Sequence, residues 1–260
     1  MKLDHQGLVV SDANSNEVGH MKEDMVSNAL LWIFSKIINY VALRDSAGDN
    51  GQRGSQSQHL LDLTSLQERW DRLSMELDVW SSGLSEQFQP LARCVLPEHE
   101  HSTTEGDLTS TVYTNSPLSC IWYSNKMCAS TIQTYHLARI VLLVNKPGKA
   151  VPFHTPPSKA MAAAGIPTRQ GTISAYLDSL REQQAELQYR AREICGIALS
   201  SPTKACIYLH QTQTLFVAGQ CLSGSDERRI IIDLLRKVDT ELGWETEYRV
   251  EQLLAEWQCR

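Results

Sequence analysis

The chain has 260 residues, of which 42% are hydrophobic and 21% charged, and its formal net charge is −6. This composition is typical of a globular protein with a sizeable core. The acidic balance gains nothing from the charge neutralisation that dominates nucleic-acid affinity, so we expect no direct nucleic-acid binding by this chain.

Cysteine usage and apolar runs indicate the compartment. The seven cysteines form no C-x-x-C pair, and most fall in apolar helical stretches, which is typical of small buried hydrophobes in a reduced intracellular protein. The N-terminus carries no signal-peptide pattern. The most apolar run, 29–43, is interrupted by Lys36 and is shorter than the roughly 20 residues that span a bilayer. We therefore expect no disulfide framework and no membrane segment.

Helical periodicity organises the chain from about residue 21 to 260, after a polar, aperiodic stretch over 1–20 that predicts a disordered tail. Helices are predicted over about 22–44, 58–82, 117–145, 171–200, 203–222 and 225–243, with a final helix carrying Val250, Leu253, Leu254 and Trp257. Flexible polar loops are predicted at about 44–58, 97–116 and 146–170.

The apolar stripes predict which faces are buried. In the second helix the stripe is Leu66, Trp70, Leu73, Leu77 and Trp80; in the fourth it begins with Ile173, Tyr176, Leu177 and Leu180. All six tryptophans fall on or beside such faces, which predicts that they belong to the core. Ser225 or Asp226 is the expected N-cap of the sixth helix, and Gly243 its C-terminal cap. Alternating strand patterns are almost absent. The sequence therefore predicts an all-α fold, a single domain of about seven helices with long polar loops.

Motifs with a catalytic mechanism are missing from the sequence. There is no G-x-S-x-G, G-x-x-x-x-G-K-[ST], G-x-G-x-x-G or H-E-x-x-H pattern, so we expect no catalytic residue, no cofactor and no metal site. The stretch 98–101 (Glu-His-Glu-His) offers metal-ligand chemistry, but it is short, acidic and set in a polar loop, which favours a solvated segment.

Two histidines stand out on apolar helices. Tyr135 and His136 lie in the middle of the third helix, and His210 lies on the fifth. A buried neutral imidazole needs at least one hydrogen-bond partner, so each is either a satisfied core histidine or a polar anchor in a small-molecule pocket. With Trp122, these three residues form the candidate effector pocket.

Three stretches together carry a family resemblance. Residues 70–91 read W-x-x-L-x-x-x-L-x-x-W-x-x-x-L followed by F-Q-P-L, and residues 135–143 read YHLARIVLL. Residues 214–257 read TLFVAGQCL, then DERRIIIDLLRKVDTELGW, then ETEYRVEQLLAEW. Their order and spacing, from about residue 66 to 258, resemble the helical fungal-specific transcription factor domain of binuclear zinc-cluster regulators.

The resemblance implies a nuclear regulatory domain that controls RNA polymerase II transcription, often of nutrient-use or secondary-metabolite gene clusters. It implies partners among the transcriptional machinery or other regulators, a small-molecule effector and an optional homodimer. The family's zinc ions belong to an N-terminal six-cysteine module, and no such spacing exists here, so no zinc or DNA contact is carried over. The chain is expected to be either part of a longer regulator or a relative without that module.

Two other function classes remain open at this stage. A helical enzyme or small-molecule carrier would need a polar constellation at a cavity mouth, for which the sequence offers only His136 and His210. A helical protein-interaction scaffold outside transcription would show an exposed apolar surface and a cytoplasmic location. The sequence contains no basic nuclear-import cluster, so the nuclear location follows from the resemblance alone.

Overall fold

The computed structural model describes residues 2–3, 9–10, 23–50, 56–95, 118–147, 169–200 and 205–259. Seven helices lie within these ranges: α1 (Glu23–Asn50), α2 (Gln56–Ser82), α3 (Lys126–Val144), α4 (Arg169–Ser200), α5 (Ala205–Cys221), α6 (Ser225–Leu242) and α7 (Glu247–Gln258). The predicted all-α fold is confirmed. The described residues add one short 3₁₀ turn, Glu86–Phe88, and four strands: β1 (Lys2–Leu3), β2 (Val9–Val10), β3 (Ala92–Val95) and β4 (Ser119–Trp122).

Strand β4 corrects the predicted start of the third helix. The segment 117–122 continues the apolar pattern of the helix, yet residues 119–122 pair antiparallel with β3. The helix begins only at Lys126, where the side-chain oxygen of Asn125 accepts a hydrogen bond of 2.9 Å from the Met127 N–H. A short apolar run fits a buried strand as well as a helix, and here the cap after it decides the boundary.

The loop predicted over 44–58 is also wrong at its start, because α1 continues to Asn50 and α2 begins at Gln56. Polar residues prolong α1 through bonds within the helix, such as the 2.8 Å bond from Ser46 Oγ to the carbonyl of Ala42. Residues 97–116 and 148–168, which cover most of the other two predicted loops, lie outside the described residues. In the predicted disordered tail, β1 and β2 form a two-residue pair, and the other residues of 1–20 are outside the described ranges.

Helix α3 lies at the centre of the packing. On one side it completes a hydrophobic cluster with α1 and α2: Leu30, Ile33, Ile37, Tyr40, Trp70, Leu73, Leu77, Tyr135, Ala138 and Leu142. On the other side Ile140 belongs to a second cluster with α4–α7, which includes Ile194, Leu215, Leu222, Ile231, Leu235, Val250 and Leu253. Since α3 contributes to both clusters, the two halves of the fold share one buried helix.

Strand β4 packs closely against α4. A Cβ atom at Gly196 would lie 2.3 Å from the backbone oxygen of Ser119 and 2.8 Å from Cδ1 of Ile121. Only a residue without a side chain allows this approach. Ile121 is thereby buried in a third, smaller cluster with residues from α1, α3 and α4.

The cap of α6 is partly as predicted. Gly243 adopts φ 65°, the left-handed conformation that favours glycine, and its N–H bonds to the Asp239 carbonyl. The N-cap, in contrast, is Gly224 rather than Ser225 or Asp226. Its N–H donates to the Glu227 carboxylate at 3.3 Å, so a side chain from the first turn supplies the capping contact.

About a third of α4 is more exposed than its sequence pattern predicts. Every residue from 173 to 182 is exposed, including the apolar stripe Ile173, Tyr176, Leu177 and Leu180. Contact with α3 begins at Gln183, whose side chain donates to the Leu143 carbonyl at 2.7 Å, one residue before α3 ends. The predicted burial of this stripe therefore fails because its neighbour among the described helices stops short.

The tryptophans divide into packed and exposed residues. Trp70 is buried, and Trp80 and Trp257 are partly buried, with indole N–H groups that donate to the carbonyls of Leu142, Val26 and Gly219 respectively. The core prediction is wrong for the other three, Trp32, Trp122 and Trp244, which are exposed. Trp32 lies beside the Lys36–Glu76 ion pair at the edge of the α1 stripe, outside the buried face.

Two helices reach the length and apolar composition of a membrane span, 23–46 of α1 and 126–144 of α3. Some 61% of the α3 window is buried inside the protein, which identifies it as a core helix, whereas α1 packs one face on α2 and α3. The expectation that the chain has no membrane segment stays a prediction.

The exposed and packed tryptophans allow a matched test of this packing. We expect Trp80→Ala to lower the free energy of unfolding by about 3 kcal/mol, because it removes the stacking on Tyr135 and leaves a cavity. Trp32→Ala should change it by less than about 0.5 kcal/mol, because Trp32 is 55% exposed. Urea denaturation followed by circular dichroism measures both, and equal losses would contradict the assignment of faces.

Candidate functional site

Ionisable and aromatic side chains from β3, α3 and α4 meet around one buried histidine. We call this set the His136 cluster, and its members are Arg93, Tyr135, His136, Tyr189, Arg190 and Glu193. It lies where the hairpin, the central helix and α4 pack together, so the elements that hold the fold also position the cluster.

His136 is 4% exposed and neutral. Its Nδ1 lies 3.4 Å from Arg190 Nη1, and since a guanidinium can only donate, Nδ1 accepts and the proton resides on Nε2. Nε2 points toward Glu193 Oε2 at 3.9 Å, which is too long for a direct hydrogen bond. Burial, followed by the charges of Arg190 and Arg93, lowers the pKa of His136 to about 3.

Glu193 is a buried carboxylate held by the hairpin. Arg93 donates to both of its oxygens, at 2.6 and 2.7 Å, and this bidentate bond raises the pKa of Arg93. The side chain of Glu193 is 8% exposed, whereas that of Arg93 is 46% exposed. Bidentate guanidinium–carboxylate pairs are directional as well as strong, so this contact fixes β3 against α4.

Cations lie against the Tyr135 ring, and Trp80 stacks on it. The Trp80 and Tyr135 centroids are 5.4 Å apart at 29°. The guanidinium carbons of Arg190 and Arg139 lie 5.4 and 5.6 Å from the Tyr135 centroid, within cation–π range. Arg139 also donates to Asp78 on α2, so this stack joins α2, α3 and α4.

Charge is balanced around the cluster. Arg93 pairs with Glu193, Arg190 pairs with Glu186 at 2.6 Å, and Arg139 pairs with Asp78, while His136 adds no charge.

Tyr123, beside the cluster, is neutral as well. Burial, followed by the charge of Glu193, raises the pKa of Tyr123 to about 12.

The geometry does not equip His136 for acid–base catalysis. A general base works best with a pKa near the operating pH, and the pKa of His136 lies far below neutrality. Within the described ranges, no group of three or more His, Cys, Asp or Glu side chains could hold a metal ion. The stretch 98–101 lies outside the described residues.

The side chains of three of the four residues predicted for the effector pocket, Trp122, Tyr135 and His136, lie within the described residues, and the pocket itself stays a prediction. Tyr135 and His136 are in contact, with ring centroids 5.3 Å apart. Trp122 is 39% exposed on β4, and its place in an effector pocket stays a prediction. His210 lies on α5, but its side chain is outside the described residues.

Sequence reasoning missed Arg93, Arg190 and Glu193. One signal was present: Glu193 stands between Ala191 and Ile194, where the helical pattern predicts burial. A buried carboxylate needs a cation or several donors, so a partner could have been expected. The sequence could not identify that partner, because Arg93 is 100 residues away.

One curated protein is similar to nearly the whole chain. The transcription activator AMTR1 of Alternaria alternata is 31% identical over 268 aligned residues, which cover 98% of this chain and 31% of that protein. The chain is therefore related to a fungal transcription activator. It spans about a third of the length of that relative. No family model matches the chain, and no solved structure matches it.

The relation supports the coarse part of the sequence interpretation, a role in transcription regulation. It also favours a non-enzymatic protein.

The Arg93–Glu193 pair generates a stability prediction. Arg93→Ala should lower the free energy of unfolding by about 2 kcal/mol, because it leaves a buried carboxylate unpaired while water replaces part of the half-exposed guanidinium. Arg181→Ala is the matched control, since the Arg181–Asp178 pair is exposed and should be worth less than about 0.5 kcal/mol. Chemical denaturation measures both free energies of unfolding. A loss for Arg93→Ala no larger than that for Arg181→Ala would refute the proposed contribution of the Arg93–Glu193 pair to stability.

Burial of neutral His136 predicts a pH dependence. In the unfolded chain the imidazole binds a proton below pH 6.5, whereas in the folded chain it does so only near pH 3. Its stabilising contribution is therefore complete above pH 6.5 and is lost as the pH falls toward about 3, by about 1.4 kcal/mol per pH unit. Free energies of unfolding measured from pH 7 to 4 should fall less steeply for His136→Gln than for the unchanged chain. Parallel curves would show that His136 is not buried in its neutral form.

Proposed function

We propose that this chain is the regulatory, middle or C-terminal, region of a fungal transcription factor that modulates RNA polymerase II transcription in the nucleus. The observation that carries the proposal is the 31% identity to a transcription activator across 98% of the chain. Its target would be a metabolic or secondary-metabolite gene cluster, as the resemblance implies. The chain would act through the transcriptional machinery or other regulators.

The fold suits a domain that senses rather than catalyses. Helix α3 is shared by both hydrophobic clusters, and the His136 cluster lies along it. A small-molecule effector or a protein partner that binds one arrangement of these helices better than another would shift the balance between them by its difference in affinity. Arg93 is the charged member of the cluster whose side chain is 46% exposed, so its contact with Glu193 is open to competition by an anionic ligand.

A tethered reporter tests the proposal. Residues 1–260 are fused to a heterologous DNA-binding domain, and transcription is measured from a promoter with intermediate basal activity and the matching operator. We expect the fusion to raise or lower transcription at least about threefold relative to the DNA-binding domain alone. Such a change corresponds to about 0.6 kcal/mol of coupling.

Two variants separate regulation from folding. Arg93→Ala should change the reporter output, whereas Arg181→Ala should leave it unchanged, because only Arg93 reaches the His136 cluster. Both fusions are checked for equal abundance by immunoblot. A fusion that is abundant and nuclear, yet leaves transcription at the level of the DNA-binding domain alone, would count against a transcriptional role.

An interaction scaffold outside transcription is the second candidate function. The exposed stripe on α4, formed by Ile173, Tyr176, Leu177 and Leu180, is the observation that favours it. Exposed apolar patches on soluble proteins often mark interaction sites. A scaffold of this kind would give no reporter output in the tethered assay and would be found in the cytoplasm.

A further inference from the structure

Two cysteines face each other across the hairpin. In the β3–β4 register, Cys94 is the direct partner of Cys120. Directly opposed residues of an antiparallel pair share one face of the sheet, with Cβ atoms about 4.5–5.5 Å apart. A disulfide requires Cβ atoms about 3.5–4.5 Å apart, so a small adjustment of the strands brings the two sulfurs to bonding distance.

The register also determines which face carries the sulfurs. Arg93 and Ile121, the neighbouring pair, point inward to Glu193 and to Gly196 of α4. Because side chains alternate along a strand, Cys94 and Cys120 lie on the outward face. Cys94 is exposed and Cys120 is partly exposed, which corrects the expectation that both are buried hydrophobes.

This pair differs from the other cysteines whose side chains are described. Cys128 and Cys195 are buried, so solvent and an oxidant do not reach their thiols. Burial also raises the pKa of Cys120, so the exposed Cys94 is the thiol that reacts first. Cys221 is partly exposed and packs against the cluster that contains Cys195, whose side chain is fully buried, and Cys259 is exposed at the end of α7. Solvent access and a nearby resolving cysteine are two features of redox-sensing cysteines, and the opposed pair on β3 and β4 has both.

We propose that Cys94 and Cys120 are a redox-modification site that forms a reversible disulfide, with a low-molecular-weight disulfide such as oxidised glutathione as the oxidant. The Cys94 thiolate attacks one sulfur of oxidised glutathione and releases one reduced glutathione. Cys120, after losing its proton to solvent, attacks the Cys94 sulfur of the mixed disulfide and releases the second glutathione. Two thiols of the protein are oxidised and one glutathione disulfide is reduced, so atoms and electrons balance.

Oxidation would act on the contact that holds the hairpin. The disulfide closes the 25-residue connection between the two cysteines and fixes the register of β3 on β4. Arg93 is the neighbour of Cys94, so a fixed register keeps its guanidinium on Glu193. In a reducing compartment, disulfides are usually transient and redox-sensing, which suits an exposed pair better than a structural role. The inference is independent of the transcriptional proposal.

Peptide mass spectrometry tests the bond directly. The sequence has no Lys or Arg between Arg93 and Lys126, so trypsin releases both cysteines in one peptide, 94–126. The folded full-length chain is equilibrated with oxidised and reduced glutathione, alkylated and digested. We expect this peptide to lose two hydrogens and to carry neither glutathione nor the alkylating group, and reduction with dithiothreitol should reverse the change.

Single-cysteine variants provide the controls. Cys120→Ser should stop at a mixed disulfide between Cys94 and glutathione, because the resolving thiol is gone. Cys259→Ser should behave as the unchanged chain, since Cys259 is exposed at the end of α7, away from the hairpin. Glutathione accumulating on both cysteines of the unchanged chain, with no internal bond, would overturn the proposal. So would an internal bond that forms only in denaturant.

Hydrogen exchange tests the structural consequence. Amides of β3 and β4 should exchange about tenfold more slowly in the oxidised chain, because opening of the hairpin then requires distortion around a covalent link. Amides of α7, remote from the hairpin, should be unaffected. Equal amide exchange rates in β3 and β4 in both redox states would show that the Cys94–Cys120 disulfide does not stabilise the hairpin or its Arg93–Glu193 contact.

Discussion

Helix α3 must satisfy its polar groups inside the protein, and the rest of the structure is arranged around that constraint. Thr131, Gln133 and His136 are buried on a helix that packs against neighbours on several faces. Unpaired polar groups in such a place are costly, so each finds a partner from a neighbouring element. Ser27 of α1 bonds Thr131 at 2.6 Å, and Gln133 donates to the Ile194 carbonyl at 3.1 Å. These partners tie both halves of the fold to one helix.

The same logic accounts for the His136 cluster. Each arginine of the cluster has a carboxylate partner, Glu193 for Arg93 and the neighbouring Glu186 for Arg190, and the Tyr135 ring provides a face for the Arg190 guanidinium. Such a network specifies one arrangement of hairpin, α3 and α4, because each partner satisfies another. The network joins β3, α3 and α4 through side-chain contacts, and the pKa of its histidine lies far below the neutral range that suits a general base. The biological role, transcription regulation, is supported by the relation to a transcription activator.

The sequence predicted the helices better than it predicted their surroundings. The stripe of Leu73 and Leu77 and the cap at Gly243 follow from local periodicity and backbone preference, and both are found. Strand β4 was missed because its apolar run, taken alone, reads equally well as the start of α3. The Arg93–Glu193 pair joins positions 100 residues apart, and helical or strand periodicity relates only residues that are close in sequence. Tyr135 and His136 were recognised as unusual, but their partners come from elements that only folding brings together.

The requirement for glycine at position 196 can be checked in related sequences. The hairpin lies so close to α4 that any side chain at this position would collide with the main chain of Ser119. A relative with alanine at the aligned position must carry its strands farther from the helix, and its equivalent of Arg93 would then need a longer reach or a different acceptor. The residue aligned with Gly196 therefore indicates whether a homologue packs these strands closely on the helix.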